Sequence, residues 1–288
     1  MVTLNSYSEI DYLLIGHITK DLTPSGPQLG GTVSYAGLTA RQMGMRVGIV
    51  SSWGPDADLK ALDQIPLSGY PDDRTTTYKN IETANGRVQY ISDVAATLDY
   101  HHIPDAWRSA AITHLAPLNQ EVQPSLVSRL QSDHLYITPQ GWLREWDEEG
   151  LVSPTDWPEY SFILANASAV VMSAEDLGHD TARIEEMASS CPVLVITEGR
   201  NGAAVYFQGE YRRYLPPSVE MIDTTGAGDI FATAFFIHYF KTDDPWEAGR
   251  MATELAAFST QRRGLHGIPT MEEIEATAAD LQRVRFNE

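Results

Sequence analysis

Two acids flank a run of small residues in "DTTGAGD", Asp223 to Asp229, and an almost wholly apolar stretch, "IFATAFFIHYF", follows at once. A stretch apolar almost all round predicts a buried central helix. The loop of Gly226, Ala227 and Gly228 then opens that helix. The first N–H groups of a helix have no internal partner and carry partial positive charge. Small residues let an anion approach those groups closely. Such a loop can cradle negative charge that develops on a phosphoryl group in flight. An acid there is badly placed to hold phosphate but well placed to take a proton from an attacking hydroxyl. Asp229 fits that role. The alternative is a first-turn acid that only complements the helix dipole, with glycines that only make a tight turn.

Other residues have the right chemistry. "TPQGWLREWDEEG" (138–150) follows an expected strand end, and ligands of open parallel sheets sit at carboxyl ends of strands. Gln140 and Arg144 are therefore candidates for substrate or phosphate. Arg144 can pair bidentately with an anion, or else bridge a nearby acid such as Asp147. Arg87, in "NGRVQY", either reaches an anionic substrate or is a solvated strand charge. His17 stands close to Asp21 and offers a hydrogen bond to substrate. His101 and His102 suggest a metal, but no third ligand is spaced near them, so the bland reading is preferred.

These residues need a frame. "DYLLIG" reads as a buried first strand, "VSYAGLTARQMG" as a helix stopped by Gly44, and "MRVGIVSSWG" as a second strand. That is a β-α-β unit and predicts a parallel sheet. "AITHLAPL", "LYITP", "AVVMS" and "PVLVITEG" continue it as short apolar runs, as strands buried on both faces should look. "EVQPSLVSRLQ" and "TARIEEMASS" read as helices between them. "YLPPSVEMI" reads as strand-like, leading into the glycine loop. Two further helices are expected, over "DPWEAGRMATELAAFSTQRRG" and over "TMEEIEATAADLQRVR" with Thr270 as N-cap.

One region breaks the rhythm. Residues 74–95 are rich in Thr and Tyr around "ANG" and read as a hairpin. We expect it to stand off the main sheet as part of a lid, joined by residues 17–29. An antiparallel edge of the main sheet is the alternative. The expected fold is one domain over 1–288, a three-layer α/β/α sandwich with a mostly parallel central sheet and a small β-lid.

The formal net charge is −19, with 20 Lys and Arg against 39 acids, which argues against general binding to nucleic acid or anionic membranes. Hydrophobic residues make up 43%, enough for a sizeable core. Cys191 is the single cysteine, so no intrachain disulfide forms. The N-terminal stretch does not read as a signal peptide, and the longest nearly apolar run, 162–172, is too short to span a bilayer. A cytoplasmic protein is expected.

"DTTGAGDIFATAF" resembles the C-terminal signature of the ribokinase-like (pfkB-type) carbohydrate kinases. Further matches come in the family's order, from about residue 11 to 270. "IGHITKD" resembles the first-strand motif, and "LGGTVSYAG" the double-glycine motif at Gly30 and Gly31. "VITEGRNGAAVY" resembles the stretch near the nucleotide, and "RRGLHGIPT" the closing turn beside adenine. The resemblance implies an ATP- and Mg²⁺-dependent kinase acting on a hydroxyl of a sugar or sugar-like molecule, with nucleoside or myo-inositol kinases as alternatives. It implies Asp229 as base, Gly226, Ala227 and Gly228 as anion hole, and Asp21, Gly30 and Gly31 at the substrate. Thr197, Gly199, Gly202 and Thr225 would serve the nucleotide. Two positions depart from the pattern. Tyr35 stands where many members carry Asn, and "SAED" stands where many carry Asn-x-x-Glu. Asp176, or Glu175 if the register shifts by one, would then organise magnesium. A homodimer through the lid is compatible with this picture.

Two readings from other classes compete. A silent binding protein of the same fold would not need its GAGD intact. A Rossmann-type oxidoreductase would need a G-x-G-x-x-G after the first strand, which "IGHITKDLTPSG" lacks.

Overall fold

A computed structural model describes residues 8–83, 86–130 and 132–285, with side chains except at 82–87 and beyond 280. The expectations for Ala84, Asn85 and the side chain of Arg87 lie outside the described residues. The strands are β1 (Tyr12–Ile15), β2 (Thr19–Thr23), β3 (Gly26–Gly30), β4 (Val47–Trp53), β5 (Leu67–Pro71), β6 (Thr76–Thr83), β7 (Gly86–Asp93) and β8 (Ile112–Leu115). They continue as β9 (His134–Ile137), β10 (Arg144–Trp146), β11 (Val152–Pro154), β12 (Ala169–Ser173), β13 (Val193–Thr197), β14 (Ala203–Phe207) and β15 (Glu210–Tyr214). The helices are α1 (Thr32–Gln42), α2 (Leu126–Arg129), α3 (Tyr160–Asn166), α4 (Thr181–Ser190), α5 (Ala227–Thr242), α6 (Pro245–Ser259) and α7 (Met271–Arg285).

The main sheet runs β15-β14-β13-β12-β9-β8-β1-β4-β5. Every neighbouring pair is parallel except β13–β14 and β14–β15. Its short apolar strands alternate between two cores, as the strand's period of two requires. Tyr12 and Leu14 join the core under α1, α5 and α6, whereas Leu13 and Ile15 join the core over α2, α3 and α4. Val193 and Val195 divide from Leu194 and Ile196 in the same way. This is the three-layer sandwich. Helix α5 is buried from Ile230 to Ile237 between its neighbours, which explains why its sequence has no polar face. Among the described residues no helix is long and apolar enough to cross a membrane.

The chain runs from β1 out to β4 and β5, then returns to lay β8 on the other side of β1. The strand order therefore reverses between β1 and β8. A crevice at the carboxyl ends of the strands there is the usual ligand site of an open α/β sheet.

Residues 74–95 do not form an edge of the main sheet. Strands β6 and β7 make an antiparallel hairpin, and β2 pairs parallel with β6 to give a separate four-stranded sheet, β3-β2-β6-β7. The β10–β11 ribbon leans on it, with Ile91 N–H donating to Gly150 O at 2.8 Å. Gly150 lies at φ +82°, and a Cβ there would overlap the Ile91 carbonyl.

Two expectations fail locally. Residues 215–222 form no strand, because β15 ends at Tyr214 and two prolines, each without an N–H, follow Leu215. The helix expected over 121–131 shrinks to α2, four residues long, with Pro124 just ahead of its first turn. The Thr270 cap does form: its hydroxyl accepts from Glu273 N–H, and the Glu273 carboxylate accepts from Thr270 N–H at 2.8 Å, a capping box.

Candidate active site

A cavity of about 560 Å³ lies over the carboxyl ends of β1, β8, β9 and β12. Its walls come from the four-stranded sheet, the β10–β11 ribbon and the start of α5.

The α5 wall is Thr224, Thr225, Gly226, Gly228 and Asp229. Gly226 is the N-cap of α5 at φ +78°, a conformation that suits glycine. A Cβ there would also overlap the Tyr35 ring, so the loop and α1 meet at a distance only glycine allows. At Gly228 a Cβ would meet nothing, which leaves that approach open to a ligand. The loop is tied down by Asp223, whose carboxylate accepts from the N–H groups of Thr225 and Gly264, both at 2.9 Å. Burial alone would raise the Asp223 carboxyl, but these N–H donors hold it below its ordinary value.

The opposite wall holds Thr19, Asp21, Gly31 and Thr32. Thr19 Oγ1 donates to Asp21 Oδ1 at 2.9 Å. Gly30 stands behind Asp21, and a Cβ at Gly30 would overlap that carboxylate. Gly31 caps α1 at φ +89°, pressed against the carbonyl of His17. His17 itself is fully buried and does not reach the cavity. Its Nε2 donates to Ala96 O at 2.9 Å, and its Nδ1 is 2.8 Å from Thr76 Oγ1. Its backbone N–H donates to Glu121, a buried acid that also accepts from Leu118 and Asn119 N–H. His17 is thus a frame residue rather than a substrate contact.

Between the walls, Arg144 Nη2 donates to Asp176 Oδ1 at 3.1 Å and Nη1 donates to Gln89 Oε1 at 3.0 Å. Arg144 therefore does not bridge Asp147, whose carboxylate instead accepts from Leu151 N–H. The Asp176 side chain is only 9% exposed. Burial pushes its carboxyl above the ordinary range, against the pull of Arg144. Glu175 beside it is exposed at the cavity. No three His, Cys, Asp or Glu among the described residues gather to hold a metal directly. Mg²⁺, however, keeps several waters and leans on one or two carboxylates plus phosphates, and Glu175 with Asp176 fits that donor set.

A model of the pfkB family carbohydrate kinases matches residues 155–271. The cytidine kinase of Thermococcus kodakarensis is 28% identical over 274 residues, covering 86% of this chain and 95% of that one. The ribokinase of Bacillus subtilis is 40% identical over 85 residues, 28% of each chain. In fold, a pyrophosphate-dependent myo-inositol-1 kinase, converted by mutation into a myo-inositol-3 kinase, superposes with a TM-score of 0.79 at 18% identity. That superposition covers 93% of this chain and 99% of that one. The chain is similar to the ribokinase-like, pfkB-type carbohydrate kinases in sequence and in fold. It is a phosphotransferase with a hydroxyl acceptor.

Seen as a pfkB-type kinase, the chain brings most of its expected residues to one cavity. Asp229, Gly226, Gly228, Thr225, Asp21, Gly31, Gln140, Arg144, Glu175 and Asp176 all line it. Ala227 is the first residue of α5, one step back from the wall. Thr197 sits behind the wall on β13, in register with lining residue Ser173. Gly199 and Gly202 turn the chain between β13 and β14 outside the cavity, and a Cβ at Gly202 would overlap the Tyr214 carbonyl. Tyr35, the departure from the family pattern, is 4% exposed and seals the seam between α1 and the Gly226 loop.

Sequence reading missed Thr19, Tyr78, Asn80 and Gln89 on the four-stranded sheet, and Ser153 on β11. Strand alternation carried part of the signal. Thr19 is two residues before Asp21, and Asn80 two after Tyr78, so each pair shares a face. The register between the strands was what the sequence did not name.

Proposed function

We propose that this kinase transfers the terminal phosphoryl group of ATP to a hydroxyl of a sugar or nucleoside, with Asp229 as general base. One observation carries the reading: Asp229 at the start of α5 and Asp21 with Gly31 near the other end of the chain share one cavity. The acceptor hydroxyl lies against Asp21 and the Gly31 turn. Asp229 takes its proton as the alkoxide oxygen forms a bond to the γ-phosphorus. The bond from that phosphorus to the β-bridging oxygen breaks, and its electron pair leaves on ADP. The N–H groups around Gly226 to Gly228 stabilise the charge on the transferring group. Mg²⁺, held through water by Glu175 and Asp176, would supply neutralising charge at the donor phosphates.

ATP is favoured as donor by the run that leads into the loop. Residues 215–222 expose Leu215, Met221 and Ile222, a surface suited to a flat base. Pyrophosphate, used by the fold relative named above, is the second donor reading, but it has no base to lay on such side chains. The four-stranded sheet acts as the lid of this proposal, excluding water as a competing acceptor. A homodimer through its outer face, where Leu22 and Ile81 are exposed, belongs to the same proposal. The test is a coupled ADP-release assay with Mg²⁺ over sugars, polyols and nucleosides, run beside pyrophosphate. ADP release that requires an acceptor is expected. ATP hydrolysis indifferent to every acceptor, or turnover with pyrophosphate alone, contradicts the reading.

A further inference from the structure

We infer that the acceptor half of the cavity is built for a nucleoside, with its sugar at Asp21 and its base in a slot between the lid sheet and the β10–β11 ribbon. The inference rests on the phosphotransferase reading for the direction of the sugar, but its own support is the wall of the cavity.

The first observation is span. Asp21 on β2 is the register partner of Tyr78 on β6, Asn80 follows two residues on, and Asn80 is the register partner of Gln89 on β7. Arg144 of β10 then continues the row by its bond to Gln89. All of these line the cavity. β2 and β7 lie two strand spacings apart, roughly 10 Å. A single sugar ring reaches one end of such a row, whereas a sugar carrying a base reaches both.

The second observation is lining. Around the β7 end the cavity is lined by Leu143, Leu151, Val152 and Pro154. A bridge between Tyr90 and Leu151 holds the ribbon against β7, so these side chains form one patch. A polyol carries hydroxyls on every side, and hydroxyls pressed on aliphatic walls without partners are costly. A nucleobase has apolar faces and confines its polar atoms to the edge, which is what an aliphatic slot with a few polar groups selects.

The third observation is the polar edge itself. Arg144 is a donor only, so Gln89 must turn its carbonyl to it. Gln89 then presents its amide N–H to Asn80, whose carbonyl accepts at 2.9 Å. Each carbonyl already accepts one of these bonds, and the pair's remaining N–H groups are donors it can offer to a ligand. A base with adjacent acceptors on its edge complements them. Cytosine offers O2 and N3 side by side, whereas uracil places an N–H between its two carbonyls.

The experiment compares cytidine, uridine, adenosine and ribose as acceptors with ATP and Mg²⁺, and measures cytidine and ribose binding by calorimetry. We expect kcat/KM for cytidine to exceed that for ribose by at least ~10²-fold, with uridine below cytidine. Asn80→Asp, which replaces donors by acceptors, should lower kcat/KM for cytidine at least ~10-fold and shrink its advantage over ribose. Ribose used as well as cytidine, or bound as tightly by the wild type, overturns the slot. If no acceptor is phosphorylated, the phosphotransferase reading fails on its own, and calorimetry still judges the slot. Cytidine binding without ribose binding supports it, and equal binding overturns it. The wild-type comparison stands even if the variant does not fold.

Discussion

The two halves of the cavity are built on different terms. The α5 half is one contiguous stretch, 223–229, and its working groups are backbone N–H groups, two glycines and one acid. The lid half is side chains gathered from β2, β6, β7, β10 and β11, held by bonds between residues far apart in sequence. A backbone anion site depends on local conformation and admits few residues, so it changes little without losing its geometry. A wall of side chains can be recomposed one residue at a time. On the proposed reading, transfer chemistry sits in the first half and acceptor choice in the second, a division that would let one fold serve many substrates.

The largest effect is expected from Gly226→Ala. The new Cβ meets the Tyr35 ring, and alanine disfavours the φ of +78°. Turnover should fall by ~10³-fold or more, because the donors of the anion site move. Circular dichroism should show the fold retained, and Tyr35→Ala added to Gly226→Ala should restore activity only in part, since the backbone strain remains. Normal turnover in the single variant would mean that the loop does not set the chemistry.

A smaller effect is expected at the seam between the halves. Arg144→Gln removes the cation beside Asp176, whose carboxyl burial already holds above the ordinary range. Its pKa should rise further, since the group that favours the charged form is gone. If the ionised carboxylate is the working form, the acid limb of the pH–rate profile should then move to higher pH. Asp176→Asn should raise the Mg²⁺ concentration needed for half activity several-fold, to be read by metal titration of the initial rate. The same rise from Glu175→Gln, without one from Asp176→Asn, would shift the metal role by one residue.

The comparison also explains what could be read from the sequence. The α5 loop, the alternating strands and the three layers were legible because their signals are local: apolar runs, turn residues and a glycine pair before an apolar helix. The hairpin at 74–95 and its association with residues 17–29 were legible, but the register between β2 and β6 was not, because register across strands leaves no mark within either strand. Asn80 and Gln89 were missed for that reason. Arg144 was singled out, but its partners were read too locally: Asp147 is three residues away in sequence, whereas Asp176 and Gln89 are brought to it by the fold. His17 looked like a site residue beside Asp21, yet β1 carries it into the interior before the chain turns into the lid.

The central claim is that Asp229 removes the proton from the acceptor hydroxyl. Single-turnover phosphoryl transfer by Asp229→Asn, with nucleotide binding measured in parallel, tests it most directly. The account predicts a rate lower by at least ~10²-fold with nucleotide affinity largely kept. A rate near that of the wild type would contradict it.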